Sequence, residues 1–116
     1  GSGDWSSVVC SSDLVLVQRR DFAGSTTFDH FMRRIDGVQV ARTYVMVDYD
    51  VSAEALDAAT ALTPGLEAPT VSPLSKDGWY AVRAMVPRTV VQGLMDQLWD
   101  AGARVILSTE LSACRL

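Results

Sequence analysis

Asp48 and Asp50 stand two apart in an alternating stretch, YVMVDYD at 44–50, so a strand puts both carboxylates on one face. Like charges that close repel and favour a cation or water between them. The pair fits a site for a ligand's ammonium or imidazolium group, or for a metal. Spacing alone favours the plainer reading, a solvated strand end that helps cap the following helix. The stretch Thr63–Thr70, TPGLEAPT, is the second candidate. Proline and glycine stiffen such a loop and let it present backbone N–H groups to a carboxylate. An ordinary helix-to-strand connection has the same composition. Arg83 falls in the middle of a strand pattern, where pairing with an acid across the sheet is the expected role. Trp79 and Trp99 read as core or interface side chains rather than cofactor platforms, and His30 as a partly exposed surface residue.

Much chemistry is excluded by what the chain lacks. His30 is the single histidine, which removes multi-histidine metal sites and leaves one imidazole for any Ser-His-Asp or Cys-His arrangement. Cys10 and Cys114 sit near opposite ends and form neither a disulfide framework nor a metal spacing, so a reducing, cytoplasmic setting is expected. There is no GxGxxG, Walker loop, HExxH or nucleophile elbow. The net charge of −4 and pI near 4.7 argue against non-specific nucleic-acid binding and against a polybasic membrane contact. No apolar run approaches the roughly 20 residues of a membrane span, and no basic stretch precedes an apolar one as in a signal peptide. A chain of 116 residues, 48% apolar and 21% charged, is one folded domain's worth.

The elements that must position these residues follow from periodicity. Residues 1–42 balance five basic against five acidic groups, whereas 43–116 carry five basic and nine acidic. The opening is polar and Gly/Ser-rich. Val9–Leu14 (VCSSDL) matches a translated sequencing adapter, so residues 1–14 are expected to be an artefact or unstructured. Leu14–Val17 reads as one strand. Thr26 or Thr27 is the expected cap of a helix with Phe28, Phe31, Met32 and Ile35 on one face, ended by Asp36-Gly37.

From Val38 onward the order reads strand, helix, strand, strand, helix, strand. The first strand spans Val38 to Val51, with Val45, Val47, Tyr49 and Val51 on one face. Ser52 is the expected cap of a helix from Ala53 to Leu62, with Leu56, Ala59 and Leu62 buried. Pro73 marks an edge strand, Lys76-Asp77-Gly78 a hairpin turn, and Trp79 to Val86 the third strand. Thr89 to Gln92 reads as a capping box before a helix burying Val91, Leu94, Met95 and Leu98. Gly102 is its C-cap, and Val105 to Thr109 the last strand. This βαββαβ order is the ferredoxin-like α+β plan, with both helices on one face of a four-stranded antiparallel sheet. The helices should cover the valine set, leaving Tyr44, Met46, Asp48 and Asp50 on the open face.

Six segments carry a family resemblance: Tyr44–Asp50 (YVMVDYD), Ala59–Thr70 (ATALTPGLEAPT), Val82–Arg88 (VRAMVPR), Leu94–Asp96 (LMD), Gly102–Leu107 (GARVIL) and Cys114–Leu116 (CRL). Together they resemble the C-terminal regulatory domain of long-form ATP phosphoribosyltransferase over residues 38–116. The threonine-proline-glycine-leucine-glutamate loop is the most specific part. Residues 15–37 resemble that enzyme's last catalytic-domain strand and the helix leading out, and Cys10–Val17 (CSSDLVLV) can be laid on the corresponding strand.

The resemblance implies a PII-like ferredoxin fold that binds L-histidine and builds the enzyme into homo-oligomers up to hexamers. The parent joins ATP to phosphoribosyl pyrophosphate with magnesium, the first step of histidine biosynthesis. By position, Asp50, Leu66 and Thr70 match residues that hold histidine, with Val105 near the site. Ala68 replaces a usual serine, and Val105 a usual smaller residue. The catalytic lobes are absent from these residues, so the expectation is an inactive chain that holds no cofactor of its own. The alternative is a ferredoxin-like oligomerisation module that binds no metabolite.

Overall fold

The computed structural model describes residues 5–10, 15–66 and 68–116. Its first part is a ribbon of two antiparallel strands, β1 (Trp5–Cys10) and β2 (Val15–Arg19), that among the described residues pair with each other and not with the larger sheet. The ribbon falls partly in the stretch set apart above as artefact or unstructured. The remainder of that stretch, residues 1–4 and 11–14, lies outside the described residues.

Helix α1 (Thr26–Thr43) departs from the expectation at both ends. Its cap is Ser25, whose hydroxyl accepts from the Phe28 N–H at 3.0 Å, rather than Thr26 or Thr27. It does not stop at Gly37 but continues six residues further, so Val38–Thr43 is helix and not strand. A glycine inside a helix costs about 1 kcal/mol relative to alanine, and here a close approach explains its presence. The C-terminal tail packs on Gly37: the Cys114 N–H donates to the Gly37 carbonyl at 3.0 Å, and a Cβ on Gly37 would lie 2.9 Å from the Cys114 carbonyl oxygen. Of the helix face expected to be apolar, Phe28, Met32 and Ile35 are half-buried and Phe31 is exposed; the fully buried positions are Gly37 and Ala41.

The sheet contains β3 (Tyr44–Ser52), β4 (Thr70–Pro73), β5 (Trp79–Pro87) and β6 (Arg104–Glu110), in the order β4-β5-β3-β6 with every neighbour antiparallel. That is the ferredoxin-like order the sequence pattern implies. Helices α2 (Leu56–Leu62) and α3 (Val91–Asp100) cover one face. Burial alternates along β3, with Val45, Val47, Tyr49 and Val51 buried. These residues meet Val82, Ala84 and Val86 of β5, Ala59 of α2, and Val91, Leu94 and Leu98 of α3 in one core. Inside it the Tyr49 and Thr63 hydroxyls lie 2.7 Å apart, and Thr63 also donates to the Ala59 carbonyl, so both buried polar groups are satisfied.

Two expected helix caps do not form. Ser52 ends β3 and serves through its backbone carbonyl, which accepts from the Ala55 N–H at 3.1 Å; α2 then begins at Leu56 rather than Ala53. Thr89 lies in a 3₁₀ turn, Arg88–Val90, that leads directly into α3, so no side-chain capping box is made. At the other end of α3 the expectation holds. Gly102 adopts φ +105°, its N–H donates to the Trp99 carbonyl, and the Ala103 N–H donates to the Leu98 carbonyl, a Schellman arrangement.

Candidate functional site

On the sheet face away from the helices, β3, β4, β5 and β6 enclose a recess of about 560 Å³. Strand alternation builds it. The residues of β3 between the buried valines turn outward, and Asp48 and Asp50 both line the recess. Thr70 and Ser72 reach it from the edge strand β4, Arg83 from β5, and Val105 and Leu107 from β6.

The two aspartates have different partners. Asp48 faces Arg83 across the β3–β5 ladder, and its carboxylate accepts from Arg83 Nε at 2.8 Å. The hydrogen bond, and then the charge of Asp48, raise the Arg83 guanidinium above its ordinary value. Arg83 therefore has the cross-strand role expected of it, and the like-charge problem at Asp48 is relieved by the protein itself. Asp50 has no ion pair or side-chain hydrogen bond among the described residues. Its register partner on β6, Arg104, is turned elsewhere. That guanidinium stacks on the Trp99 ring at 3.8 Å and donates to the Trp99 and Ala103 carbonyls. The recess thus holds one neutralised carboxylate, one unengaged carboxylate and two hydroxyls, an arrangement able to take a cationic group with hydrogen-bonding atoms near it.

Val105 shapes the wall through its backbone. Between Asp48 and Asp50 the register against β6 shifts: Asp48 pairs with Leu107 but Asp50 with Arg104, so β6 carries an extra residue and bulges. Val105 is in that bulge at φ +52°, the left-handed region, where glycine is at ease and a β-branched residue is not.

The structure brings Asp50, Thr70 and Val105 into one recess. Leu66 stands exposed on the loop and is not part of its wall, and Glu67 of the same loop lies outside the described residues. Ser72 was missed by the sequence reading, although it lies two residues beyond Thr70 on one strand. Trp99 is 56% exposed under Arg104, not a core residue, while half-buried Trp79 carries the Lys76 ammonium 4.6 Å above its ring. His30 is exposed on α1. Among the described residues no group of three or more His, Cys, Asp or Glu side chains comes together to hold a metal, and no helix is long and apolar enough to cross a membrane.

Comparison with known proteins agrees with this architecture. Residues 41–113 match the family model described as "HisG, C-terminal domain". The chain is 53% identical over 112 residues to an ATP phosphoribosyltransferase of Streptomyces coelicolor, covering 93% of this chain and 39% of that protein. It is 48% identical over 114 residues to the Pseudarthrobacter chlorophenolicus protein of that name, again covering 93% and 39%. A Corynebacterium glutamicum ATP phosphoribosyltransferase is 45% identical over 116 residues, covering 100% of this chain and 41% of the relative. The chain spans about two-fifths of the length of these relatives. With more than half of its residues in the family match and the ferredoxin-like sheet order in place, the chain belongs to the HisG C-terminal domain family.

Proposed function

We propose that this chain is the histidine-sensing regulatory module of an ATP phosphoribosyltransferase, the enzyme of the first step of L-histidine biosynthesis. The carrying observation is the unengaged Asp50 carboxylate, which shares one recess with Thr70 and Val105 on the open sheet face. Asp50 takes the cationic end of histidine, and Thr70 and Ser72 offer hydroxyls beside it. A volume of about 560 Å³ falls within the usual range for small-ligand pockets.

Regulation follows from differential binding. A ligand shifts an equilibrium only by its preference between two states. Tyr44 and Met46 are half-buried and Leu107 is 55% exposed on the same open face, which gives subunits an apolar surface to share. Histidine that binds better between assembled subunits stabilises the homo-oligomer by mass action, up to the hexamer the family resemblance implies. The phosphoribosyl transfer and its magnesium are assigned to the rest of the full-length protein.

Calorimetry of the folded chain with L-histidine tests the reading. Saturable heat is expected, weakened at least tenfold by Asp50→Asn, because a charge-assisted hydrogen bond is worth about 1.5–3 kcal/mol. Histidine binding unchanged by Asp50→Asn would place the site elsewhere. Self-association without any heat would leave the oligomerisation module as the better description.

A further inference from the structure

A second recess, separate from the open-face site, is lined by His30, Arg33, Arg34 and Arg115, and has a volume of about 260 Å³. We propose that it is a binding site for a small polyphosphate anion, either free pyrophosphate or the phosphate tail of a nucleotide.

Sequence and packing together build the site. His30, Arg33 and Arg34 are related as i, i+3 and i+4, so they share one face of α1. Arg115 is more than 80 positions away and reaches the same place because the tail is fastened to the helix. The Cys114 N–H bonds to the Gly37 carbonyl, and only a glycine at 37 lets the tail come so close. The docking of the tail is thus what delivers the third guanidinium.

Charge gives the ligand its class. The protein as a whole carries −4, yet among the described residues no carboxylate side chain lines this recess. Asp29 lies one turn before Arg33, and Asp36 lines the adjoining hollow shared by Arg33 and Arg115. Neither is ion-paired with these arginines among the described residues. Arg33 and Arg34 put two permanent positive charges on neighbouring helix positions, and the tail brings the Arg115 guanidinium beside them, which concentrates positive potential in one hollow. An anion with several charges offsets it. Arginine forks suit phosphate oxygens, which they engage in pairs. The space is sized for a small polyphosphate rather than for a polymer laid along its length.

The test is calorimetry of the full chain with inorganic pyrophosphate in magnesium-free, low-salt buffer, followed by a nucleoside triphosphate. Saturable one-to-one binding is expected, weakened about tenfold by Arg33→Gln and by Arg115→Gln. Arg19→Gln makes the same charge change at an exposed arginine that instead pairs with Asp21, and should bind as the parent does. All three side chains are exposed, and circular dichroism confirms that each variant folds. Equal affinity for both probes assigns recognition to the phosphates alone. Tighter binding of the nucleotide adds a contact to its nucleoside part. Absence of saturable heat, equal weakening by Arg19→Gln, or preference for a single-stranded oligonucleotide that grows with its length would each overturn the proposal.

Discussion

Replacing Val105 with glycine should stabilise the protein, against the usual direction for a glycine placed in a strand. Val105 is held at φ +52° by the β6 bulge. The left-handed conformation costs an L-residue about 1–2 kcal/mol, and strained backbone sites fall in a range of about 1–3 kcal/mol. Glycine removes that cost but adds its own, about 0.5–1 kcal/mol of extra unfolded-state entropy. Lost burial is small, because Val105 is 62% exposed. The net gain is about 0.5–1 kcal/mol. Unfolding entropy near 2.1 cal/mol/K per residue gives about 0.24 kcal/mol/K for this chain, so Tm should rise by about 2–4 °C. Scanning calorimetry at fixed protein concentration measures it. Val105→Ala keeps the Cβ and therefore most of the strain, so it should give less than half the shift. A fall in Tm for Val105→Gly, or an equal rise for alanine, would refute the assignment of strain to this residue.

Three further outcomes can be checked. Burial raises the Tyr49 hydroxyl pKa, opposed in part by its hydrogen bond to Thr63. A raised folded-state value means stability is fully present below the unfolded value near 10 and is lost as pH rises through the folded value. Tyr49→Phe should flatten that alkaline loss in urea titrations and cost about 1 kcal/mol at neutral pH, the Thr63 hydroxyl keeping its bond to Ala59. Gly37→Ala should free the tail, because the new Cβ meets backbone 2.9 Å away, and trypsin should then cut after Arg115 faster than in the parent. Met46→Lys, on the open face, should reduce concentration-dependent association in sedimentation while leaving the core, built from the other face of β3, folded.

The core was legible where the period was clean. Alternation in β3 and β5 separated the helix-covered faces from the open ones, and the edge placement of β4 followed from Pro73. The grouping of Asp50, Leu66, Thr70 and Val105 came from the family resemblance and not from spacing; the fold brings Asp50, Thr70 and Val105 to one recess and leaves Leu66 off its wall. What was not legible depended on partners far along the chain. Asp36-Gly37 has the local signature of a helix end, and only the tail at Cys114 explains why a glycine sits inside the helix. Thr89 and Ser52 are good caps by type, but the chain enters α2 and α3 through tight turns that occupy the same N–H groups. The valine at a left-handed position could not be read locally either, since the bulge arises from pairing register.

The two borders of the sheet are each unsuited to extension by another strand. On one side β4 is only four residues long and closes on Pro73, which has no N–H to donate. On the other, the irregularity at Val105 breaks the even row of N–H and C=O groups that β6 would otherwise display. Short strands, proline and bulges are how sheets avoid adding neighbours edge to edge without limit. A small domain with an acidic recess and an apolar patch on its broad side, but blunted rims, can join its copies through that broad side without threading them into a continuous ribbon. Any association through that broad side would thus avoid edge-to-edge strand addition, the route by which sheets extend into fibres.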